Sequence, residues 1–481
     1  MVEHETSAEL EPIPQPPTKP IVGNLFDVDR GAPLEDIVRL ANEYRPIFRL
    51  SLGSREAVFV SGFELVDELC DMRRFDKLVG RGLTEVRAFA GDGLFTSHTE
   101  EPNWQKAHRI LLPAFSQDAM RQYFPMMLDI AMQLVKKWER LNRGEATDVT
   151  PDMTRLTLDT IGLCGFNYRF NSFYRERPHP FVEAMTRCLS ESMQRAGRLR
   201  IQERAAVREA RQFDADVASM NELVDRIVKE RRAEMERTGS DPRPDLLGRM
   251  LTGVDPQSGE RLDDVNIRYQ IITFLIAGHE TTSGLLSFSL YLLLHHPEVL
   301  SRAYAEVDSV LGTESDVTPT YGQVHQLRYV SQILHETLRL YPTAPAFSVH
   351  PLEATAVIGG RYRLTRERGA TIVTAALHRD PSVWGSDAGE FNPDHFSPEA
   401  AQQRPANAYK PFGNGQRACI GRQFALLEAS LVLGLILQRL ELVDHDHYEL
   451  RIKETLTIKP DDFRIQVKKR AHLRALQGAT A

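Results

Sequence analysis

The segment Phe412-Gly413-Asn414-Gly415-Gln416-Arg417-Ala418-Cys419-Ile420-Gly421 decides the fold, because it places one cysteine in a loop punctuated by glycines. The loop opens onto the run from Ile420 to Leu437, which carries no charge after Arg422 apart from Glu428 and predicts a buried helix. A cysteine at a helix N-terminus faces unpaired backbone N–H groups and the positive end of the helix dipole, which favour its thiolate form. The sequence therefore predicts that Cys419 is a deprotonated metal ligand.

The surrounding residues suit the same purpose. The pattern F-x-x-G-x-R-x-C-x-G would arise by chance in roughly one chain of this length in ten thousand. Gly413, Gly415 and Gly421 permit backbone conformations that let the chain approach a flat ring. Arg417 lies two residues from the cysteine, where it can pair with a carboxylate. The alternative is a buried structural cysteine in a turn, and the complete pattern argues against it.

A second segment, Ala277-Gly278-His279-Glu280-Thr281-Thr282, places an acid and two hydroxyls between apolar stretches. Asp263 and Asp264 predict the start of a helix that runs to His296 and is stopped by Pro297. Thr281 can bond back to the Ala277 carbonyl, and Gly278 weakens the ladder, so a local distortion is expected. Such a distortion opens a niche for small molecules. A bent helix without chemistry is the alternative.

Together these segments resemble the haem-binding loop and the oxygen-activation helix of the cytochrome P-450 monooxygenases. The resemblance covers about Pro20 to Lys469, and it is narrower to the haem domain of bacterial self-sufficient fatty-acid hydroxylases, in which a diflavin reductase is fused to the C-terminus. It implies the cytochrome P-450 fold, mainly α with a small β part. It also implies haem b (iron protoporphyrin IX) with Cys419 as the metal ligand, O2 as a substrate, and FMN, FAD and NADPH acting only through a reductase.

Composition sets the broad class of the protein. The chain has 481 residues, of which 42% are hydrophobic and 26% charged, an ordinary globular balance. Its net charge of −7 argues against a nucleic-acid partner. The four cysteines are unclustered, which indicates a reducing compartment. No apolar run suits a membrane anchor and no signal peptide begins the chain, so a cytoplasmic location is expected.

The distribution of proline, glycine, charge and alternating apolar residues along the chain predicts its organisation. Residues 1–19 are acidic and rich in proline, typical of a flexible tail; residues 20–469 form the haem monooxygenase domain, and residues 470–481 a tail or the start of a linker. Hairpins are predicted over Ile47–Val60 and Thr355–Leu364, and a strand over Ala370–Ala375. The stretch from His378 to Tyr409 reads as an irregular meander.

The resemblance also implies which residues hold the cofactor. Trp104 and His108 are spaced i, i+4 and so share one helix face, although a packed pair is the alternative. Lys77 is a further contact with a haem propionate, or else a solvated lysine. The implied cofactor contacts are Cys419, Arg417, Trp104, His108, Phe412, Lys77 and Gly421.

A structural lock is implied by Glu336 and Arg339, which match the family's E-x-x-R pair; a plain surface pair is the alternative. The usual third member is an arginine in a downstream F-x-P-x-R-F segment, and here His395 occupies that position. Histidine there predicts a weaker, pH-sensitive third interaction.

On the catalytic side the resemblance implies Thr281, Glu280 and Ala277, with Thr281 donating to oxygen and Glu280 relaying protons from solvent. Phe95 would limit how far a chain reaches the iron. Arg55 matches the arginine at the channel mouth, although its usual tyrosine neighbour is Phe59 here. The remaining channel positions, which would otherwise read as ordinary core, are Leu83, Val86, Ala90, Leu189, Ala344, Ala346 and Leu456, besides Ala277.

The predicted activity is hydroxylation of medium- to long-chain fatty acids at subterminal positions. Two rivals remain open. A peroxygenase driven by hydrogen peroxide is disfavoured by the Glu280-Thr281 pair, and a non-catalytic haem sensor would need neither that pair nor an apolar channel. A basic cluster from Arg195 to Arg211 is a second candidate for steering acidic substrates, although a solvated face is the plainer interpretation.

Overall fold

The protein divides into two compact units. The computed structural model describes residues 10–29, 31–53, 55–198, 206–241, 243, 245–314 and 317–470. The first unit contains the chain up to residue 80 together with 338–419, and the second contains 81–337 together with the chain from residue 420 onward. The predicted fold class, mainly α with a small β part, is confirmed.

The helices in chain order are α1 (Pro33–Glu43), α2 (Phe63–Leu69), α3 (Arg81–Ala90), α4 (Pro102–Leu111), α5 (Gln117–Glu139), α6 (Val149–Phe166), α7 (Pro180–Gly197), α8 (Val207–Thr238), α9 (Leu246–Thr252), α10 (Asp264–His295), α11 (Pro297–Leu311), α12 (Tyr321–Val324), α13 (Arg328–Leu340), α14 (Thr374–Leu377), α15 (Pro381–Trp384), α16 (Pro398–Gln403) and α17 (Arg422–Arg439). The strands are β1 (Ile47–Leu52), β2 (Arg55–Val60), β3 (Phe75–Lys77), β4 (Ala146–Asp148), β5 (Phe347–Pro351), β6 (Thr355–Ile358), β7 (Tyr362–Thr365), β8 (Ala370–Ile372), β9 (Leu440–Asp444), β10 (Ile452–Glu454), β11 (Ile458–Pro460) and β12 (Arg464–Lys469).

The first unit is built on a five-stranded sheet in the order β1-β2-β8-β5-β3. Both predicted hairpins are present, β1–β2 and β6–β7, and the second turns through Gly359 and Gly360, which have φ of 58° and 67°. The predicted strand over Ala370–Ala375 is too long: β8 ends at Ile372, because the chain turns at once into α14, where the His378 N–H donates to the Thr374 carbonyl. Branched and aromatic side chains of the sheet form two buried clusters.

Part of the predicted N-terminal tail packs against this unit. Ile13 lies against the buried cluster on the sheet, and the Gln15 amide donates to Ser51 Oγ at 2.7 Å. The Arg49 N–H donates to the Pro14 carbonyl at 2.9 Å. The packed body of the protein therefore includes residues that acidity and proline content alone had placed in a tail.

The second unit is centred on α10. Asp263 caps this helix as predicted, its side chain accepting from the Asn266 N–H at 2.8 Å. The helix is buried over most of its length and packs against α6. Gly278 permits a close approach, since a Cβ there would lie 2.8 Å from Ile161. The helix continues without a break through the predicted distortion, and the Thr157 hydroxyl of α6 donates to its His279 carbonyl at 2.8 Å.

Two further β structures of this unit were not predicted. One is a three-stranded sheet in the order β4-β12-β9, and the other is the hairpin β10–β11, which contacts α10. The predicted buried helix after the cysteine loop is α17, which packs against α5. None of the described helices is both long and apolar enough to span a membrane.

Candidate active site

The cysteine loop is closed on itself by the backbone. The Cys419 N–H donates to the Phe412 carbonyl at 2.8 Å. Gly415 has φ 60°, a left-handed conformation that favours glycine, and only the flexible side chain of Met72 lies close to it. Cys419 is exposed, whereas the chain's other three cysteines are buried. The loop thus presents the Cys419 sulfur outward from a fixed backbone.

Arg417 of this loop has a second cation of the same unit, Lys77, near it. Burial, together with the charge of Arg417, lowers the pKa of Lys77 to about 7, and Asp76 opposes this shift only in part. Lys77 is therefore half-buried and close enough to Arg417 for its charge to lower the Lys77 pKa. Two such cations suit an anionic group, which would relieve their mutual repulsion.

The meander before the loop is held by Arg339, which is fully buried, as is Glu336. The Arg339 guanidinium donates to the carbonyls of His378, Ala388 and Glu390 at 2.9, 2.5 and 2.7 Å. The alternative of a surface pair is therefore wrong, because Arg339 satisfies carbonyls that would otherwise be buried without donors.

His378 connects the meander to the loop. Its Nε2 accepts from the Lys410 N–H at 2.8 Å, so the ring proton belongs on Nδ1. Burial, reinforced by the charge of Arg339, lowers the pKa of His378 to about 3, which keeps the ring neutral. His395, which replaces the motif arginine, lies with its Nε2 3.2 Å from Asp387 Oδ2.

In the second unit, α10 presents the predicted oxygen-activation residues. From Ile271 to Leu290 every side of this helix is buried except at Ala277, Gly278 and Thr281. The Thr281 hydroxyl donates to the Ala277 carbonyl at 2.9 Å, as predicted. The accessible part of this buried helix therefore consists of two small residues and the threonine hydroxyl.

Glu280 is buried and strongly paired. Its Oε1 lies 2.8 Å from Lys459 Nζ and 3.0 Å from His279 Nε2, and its Oε2 accepts from the Thr457 hydroxyl at 3.1 Å. Burial alone would raise the pKa of this carboxyl, but the charge of Lys459 and the contact with His279 hold it well below its usual range. Glu280 is therefore ionised.

A cavity of about 1000 Å³, including its part open to solvent, borders Glu280. Lys453, Lys459 and Arg155 supply cations to its wall, and the predicted channel residue Leu189 lies there too. Since the cavity is open to solvent and has cations in its wall, water can enter it, and the Glu280 carboxylate has a route to solvent that does not pass along α10.

Trp104 and His108 are brought together as their spacing predicts. Their rings stack on α4 with centroids 5.0 Å apart and 22° between the planes. The stack orients both rings as one unit.

The loop that carries Phe95 is tied to α10 by polar residues. Asn266 donates to Asp92 Oδ1 at 2.9 Å, and Gln270 Oε1 accepts from the Leu94 N–H at 3.0 Å. Gly91 has φ 49°, and a Cβ there would lie 2.2 Å from the Tyr269 ring. Phe95 therefore follows a turn that has little freedom to move.

The predicted channel positions fall into three classes. Val86, Ala90 and Leu189 are buried, Leu83 and Leu456 are half-buried, and Ala344 and Ala346 are exposed. The positions come from α3, α7, the segment before β5 and the turn between β10 and β11. Which of them line a channel stays a prediction.

Arg55 is exposed at the first position of β2. Phe59, on the same strand, is buried and stacks on Phe48 with centroids 5.0 Å apart, so it belongs to the core. In the rival basic cluster, Arg195 and Arg198 both pair with Glu191, while Arg200 and Arg204 lie outside the described residues. The internal pairing weakens the case for that cluster as a steering patch.

Comparison with known proteins decides the family. The cytochrome P-450 family profile matches residues 13–467. The chain belongs to the cytochrome P-450 family. The predicted family, the fold that goes with it, and haem as the cofactor that this family binds are thereby confirmed.

The relatives in this cytochrome P-450 family are longer proteins. The chain is 57% identical over 462 residues to a bifunctional cytochrome P-450/NADPH–P-450 reductase of Bacillus subtilis, covering 96% of this chain and 43% of that protein. A relative from Bacillus cereus with the same description is 56% identical over 95% of this chain and 42% of its own. A self-sufficient cytochrome P-450 monooxygenase of Exserohilum turcicum is 44% identical over 96% and 43%. The chain thus spans less than half the length of these curated relatives.

The described residues fit a haem. Cys419 supplies an outward thiol on a glycine loop, and the Lys77 and Arg417 cations suit the two propionates of iron protoporphyrin IX. The individual contacts with haem stay predictions.

Sequence analysis did not identify several residues of the site. Lys459 and Thr457 reach Glu280 from a hairpin about 180 positions further along, and no local pattern marks them. Asn266 and Gln270, in contrast, are neutral polar residues spaced i, i+4 near the start of α10. That spacing was a readable signal for the residues that anchor the Phe95 loop.

Proposed function

We propose that this chain is the haem domain of a cytoplasmic monooxygenase that hydroxylates medium- to long-chain fatty acids at subterminal positions. It would use O2 and electrons from an NADPH-dependent diflavin reductase, fused or separate. The relatives support the redox part, because those of highest identity given above are named as bifunctional with NADPH–P-450 reductase. The observation that carries the activity is the ionised Glu280 beside Thr281 on the accessible face of α10.

In the proposed mechanism Cys419 holds the haem iron as a thiolate. The haem, when bound, supplies the activation of dioxygen, which a thiolate ligand favours by donating electron density. The hydrogen bond from the Cys419 N–H to the Phe412 carbonyl closes the loop and fixes the backbone from which the sulfur projects. Lys77, Arg417, Trp104 and His108 would orient the macrocycle through its propionates.

Proton delivery falls to Glu280 and Thr281. Glu280 takes a proton from water in the adjoining cavity and passes it toward Thr281, one residue along α10. The Thr281 hydroxyl releases the Ala277 carbonyl and donates toward oxygen. The Lys459 pair holds Glu280 ionised, so proton uptake by Glu280 requires this ion pair to loosen. An acid–alcohol pair of this kind serves reductive activation of O2 rather than a peroxide-driven reaction.

On the substrate side Arg55 would bind the carboxylate, and Phe95 would limit how far the chain reaches. Phe59 has no hydroxyl, and it is buried against Phe48. Arg55 would therefore act without the hydrogen bond that a tyrosine gives. An exposed guanidinium–carboxylate contact of this kind is worth about 1 kcal/mol, or about fivefold in Kd.

An optical titration of the ferric protein with saturated fatty acids of increasing length tests this proposal. A saturable change of the haem band that tightens with chain length is expected, and Arg55→Ala should weaken it about fivefold. The matched control is Arg73→Ala, which removes another exposed arginine of the same unit without altering Kd. No change with any acid, in protein with an intact haem spectrum, would overturn the fatty-acid assignment.

A further inference from the structure

Two guanidinium groups lie over one buried indole in the meander of the first unit. The Trp384 ring has Arg339 Cζ at 4.9 Å and Arg404 Cζ at 4.5 Å from its centroid. Arg339 is committed to three backbone carbonyls, as described above. The cation that meets Trp384 from the later part of the meander is therefore Arg404, a residue that no motif singled out.

Arg404 closes a cluster of three aromatic rings. Its Cζ lies 4.3 Å from the Phe396 centroid and 5.9 Å from that of Tyr409. The rings also contact one another, with the Phe396 and Tyr409 centroids 4.8 Å apart and the Trp384 and Tyr409 centroids 6.2 Å apart. The Arg404 guanidinium in addition donates to the His395 carbonyl. A planar cation is thus stacked and hydrogen-bonded at once, which a lysine cannot reproduce.

This cluster leads directly into the cysteine loop. Tyr409 packs on the neutral His378 ring with centroids 5.1 Å apart, and the next residue, Lys410, donates its N–H to His378 Nε2. Phe412, two residues later, accepts the hydrogen bond from Cys419 that closes the loop. A shift of Tyr409 would therefore move the first anchor of the loop.

We propose that Arg404 is a positioning residue for the cysteine loop, and that it supplies from another point in the chain the guanidinium that His395 does not. His395 itself is turned to Asp387, and its carbonyl is what Arg404 binds. Arg404 acts on the loop through Tyr409 and His378, at a distance from the iron ligand. This inference rests on the proposed role of Cys419 as that ligand.

The experiment follows the ligand state of the iron in the haem-loaded, reduced, CO-bound protein, whose spectrum distinguishes thiolate from thiol ligation. Loss of the thiolate spectrum at a fixed temperature should be about tenfold faster in Arg404→Ala than in the wild type, as expected for a cation removed from a buried ring. Arg404→Lys, which keeps the charge but not the plane, should be intermediate. The double variant His395→Arg/Arg404→Ala should return to within about threefold of the wild type, since the guanidinium is restored nearby.

The matched control is Arg302→Ala, which removes a guanidinium 3.9 Å from the Tyr329 centroid in the other unit and should leave the rate unchanged. The inference is overturned if Arg404→Ala behaves like Arg302→Ala, or if the double variant is no better than Arg404→Ala. Should Arg404→Ala yield no haem protein, Arg404→Lys decides, and a wild-type rate there refutes the inference. A wild type without any thiolate spectrum would overturn the proposed function, and this inference with it.

Discussion

Replacing Lys459 with methionine removes the cation that holds Glu280 ionised. The two side chains are 12% and 10% exposed, with Nζ 2.8 Å from Oε1, so the pair is buried. Removing one partner of a buried ion pair costs about 3–5 kcal/mol, because the remaining charge loses its compensation. At about pH 7.5 we therefore expect Lys459→Met to lower the free energy of unfolding by that amount, read from the urea midpoint.

The pH dependence gives a sharper test. In the wild type the pKa of Glu280 is depressed, so its contribution to stability is complete above the unfolded pKa of about 4.3 and is lost only below it, as pH falls through the folded pKa. In Lys459→Met burial is uncompensated and raises that pKa, so the variant carboxyl takes a proton on acidification. Its cost should shrink by up to about 2.7 kcal/mol between pH values of about 7.5 and 5.5.

Two controls separate this effect from a general loss of charge. Lys106→Met breaks a pair 3.1 Å long whose partner Glu260 is 67% exposed, and it should cost under about 1 kcal/mol. The double variant Lys459→Met/Glu280→Gln removes both charges and should recover most of the loss. Lys459 does not compensate the buried Glu280 charge if Lys459→Met lowers the free energy of unfolding no more than Lys106→Met does, or if that loss does not change with pH.

Three further substitutions test other parts of the structure through the urea midpoint. Burial raises the pKa of Glu428 well above its usual range, so the folded state keeps a proton that the unfolded chain releases; Glu428→Gln should stabilise by at least about 1 kcal/mol near pH 8, less near pH 5, and a pH-independent effect would contradict this. Arg339→Lys should cost about 2 kcal/mol or more, because one ammonium group cannot donate to all three carbonyls, two of them buried, and a cost under about 0.5 kcal/mol would contradict this. Gly91→Ala should cost about 2 kcal/mol or more through its positive φ and the Tyr269 ring, whereas Gly197→Ala, in open space at the end of α7, should be neutral or slightly stabilising; equal effects would contradict this reasoning.

Local patterns predicted what local physics determines. Asp263 predicted the start of α10 because a capping side chain binds a backbone N–H only three residues away. The two hairpins were predicted by alternating apolar and polar residues around glycine. The loop of Cys419 could be predicted because its glycines and its cysteine lie within ten residues of one another. In these cases the interaction that fixes the structure is close in sequence.

Contacts between residues far apart in sequence could not be predicted in the same way. Amphipathicity predicts that only the apolar face of α13 is buried, whereas Glu336 and Arg339 on its polar side are buried as well. The partners of Glu280 come from the β10–β11 hairpin, and the guanidinium near His395 comes from Arg404, nine residues beyond the motif position. A motif records residue types at fixed spacing, and it cannot show a charge that arrives from elsewhere in the chain.

The most direct test of the account is the spectrum of the reduced, CO-bound protein with Cys419→Ser beside the wild type. The wild type should show thiolate ligation, and Cys419→Ser should lose it. Cys70→Ser, which alters a buried cysteine whose pKa is raised by burial to about 11, should keep it. A thiolate spectrum that survives in Cys419→Ser would contradict the assignment of the iron ligand.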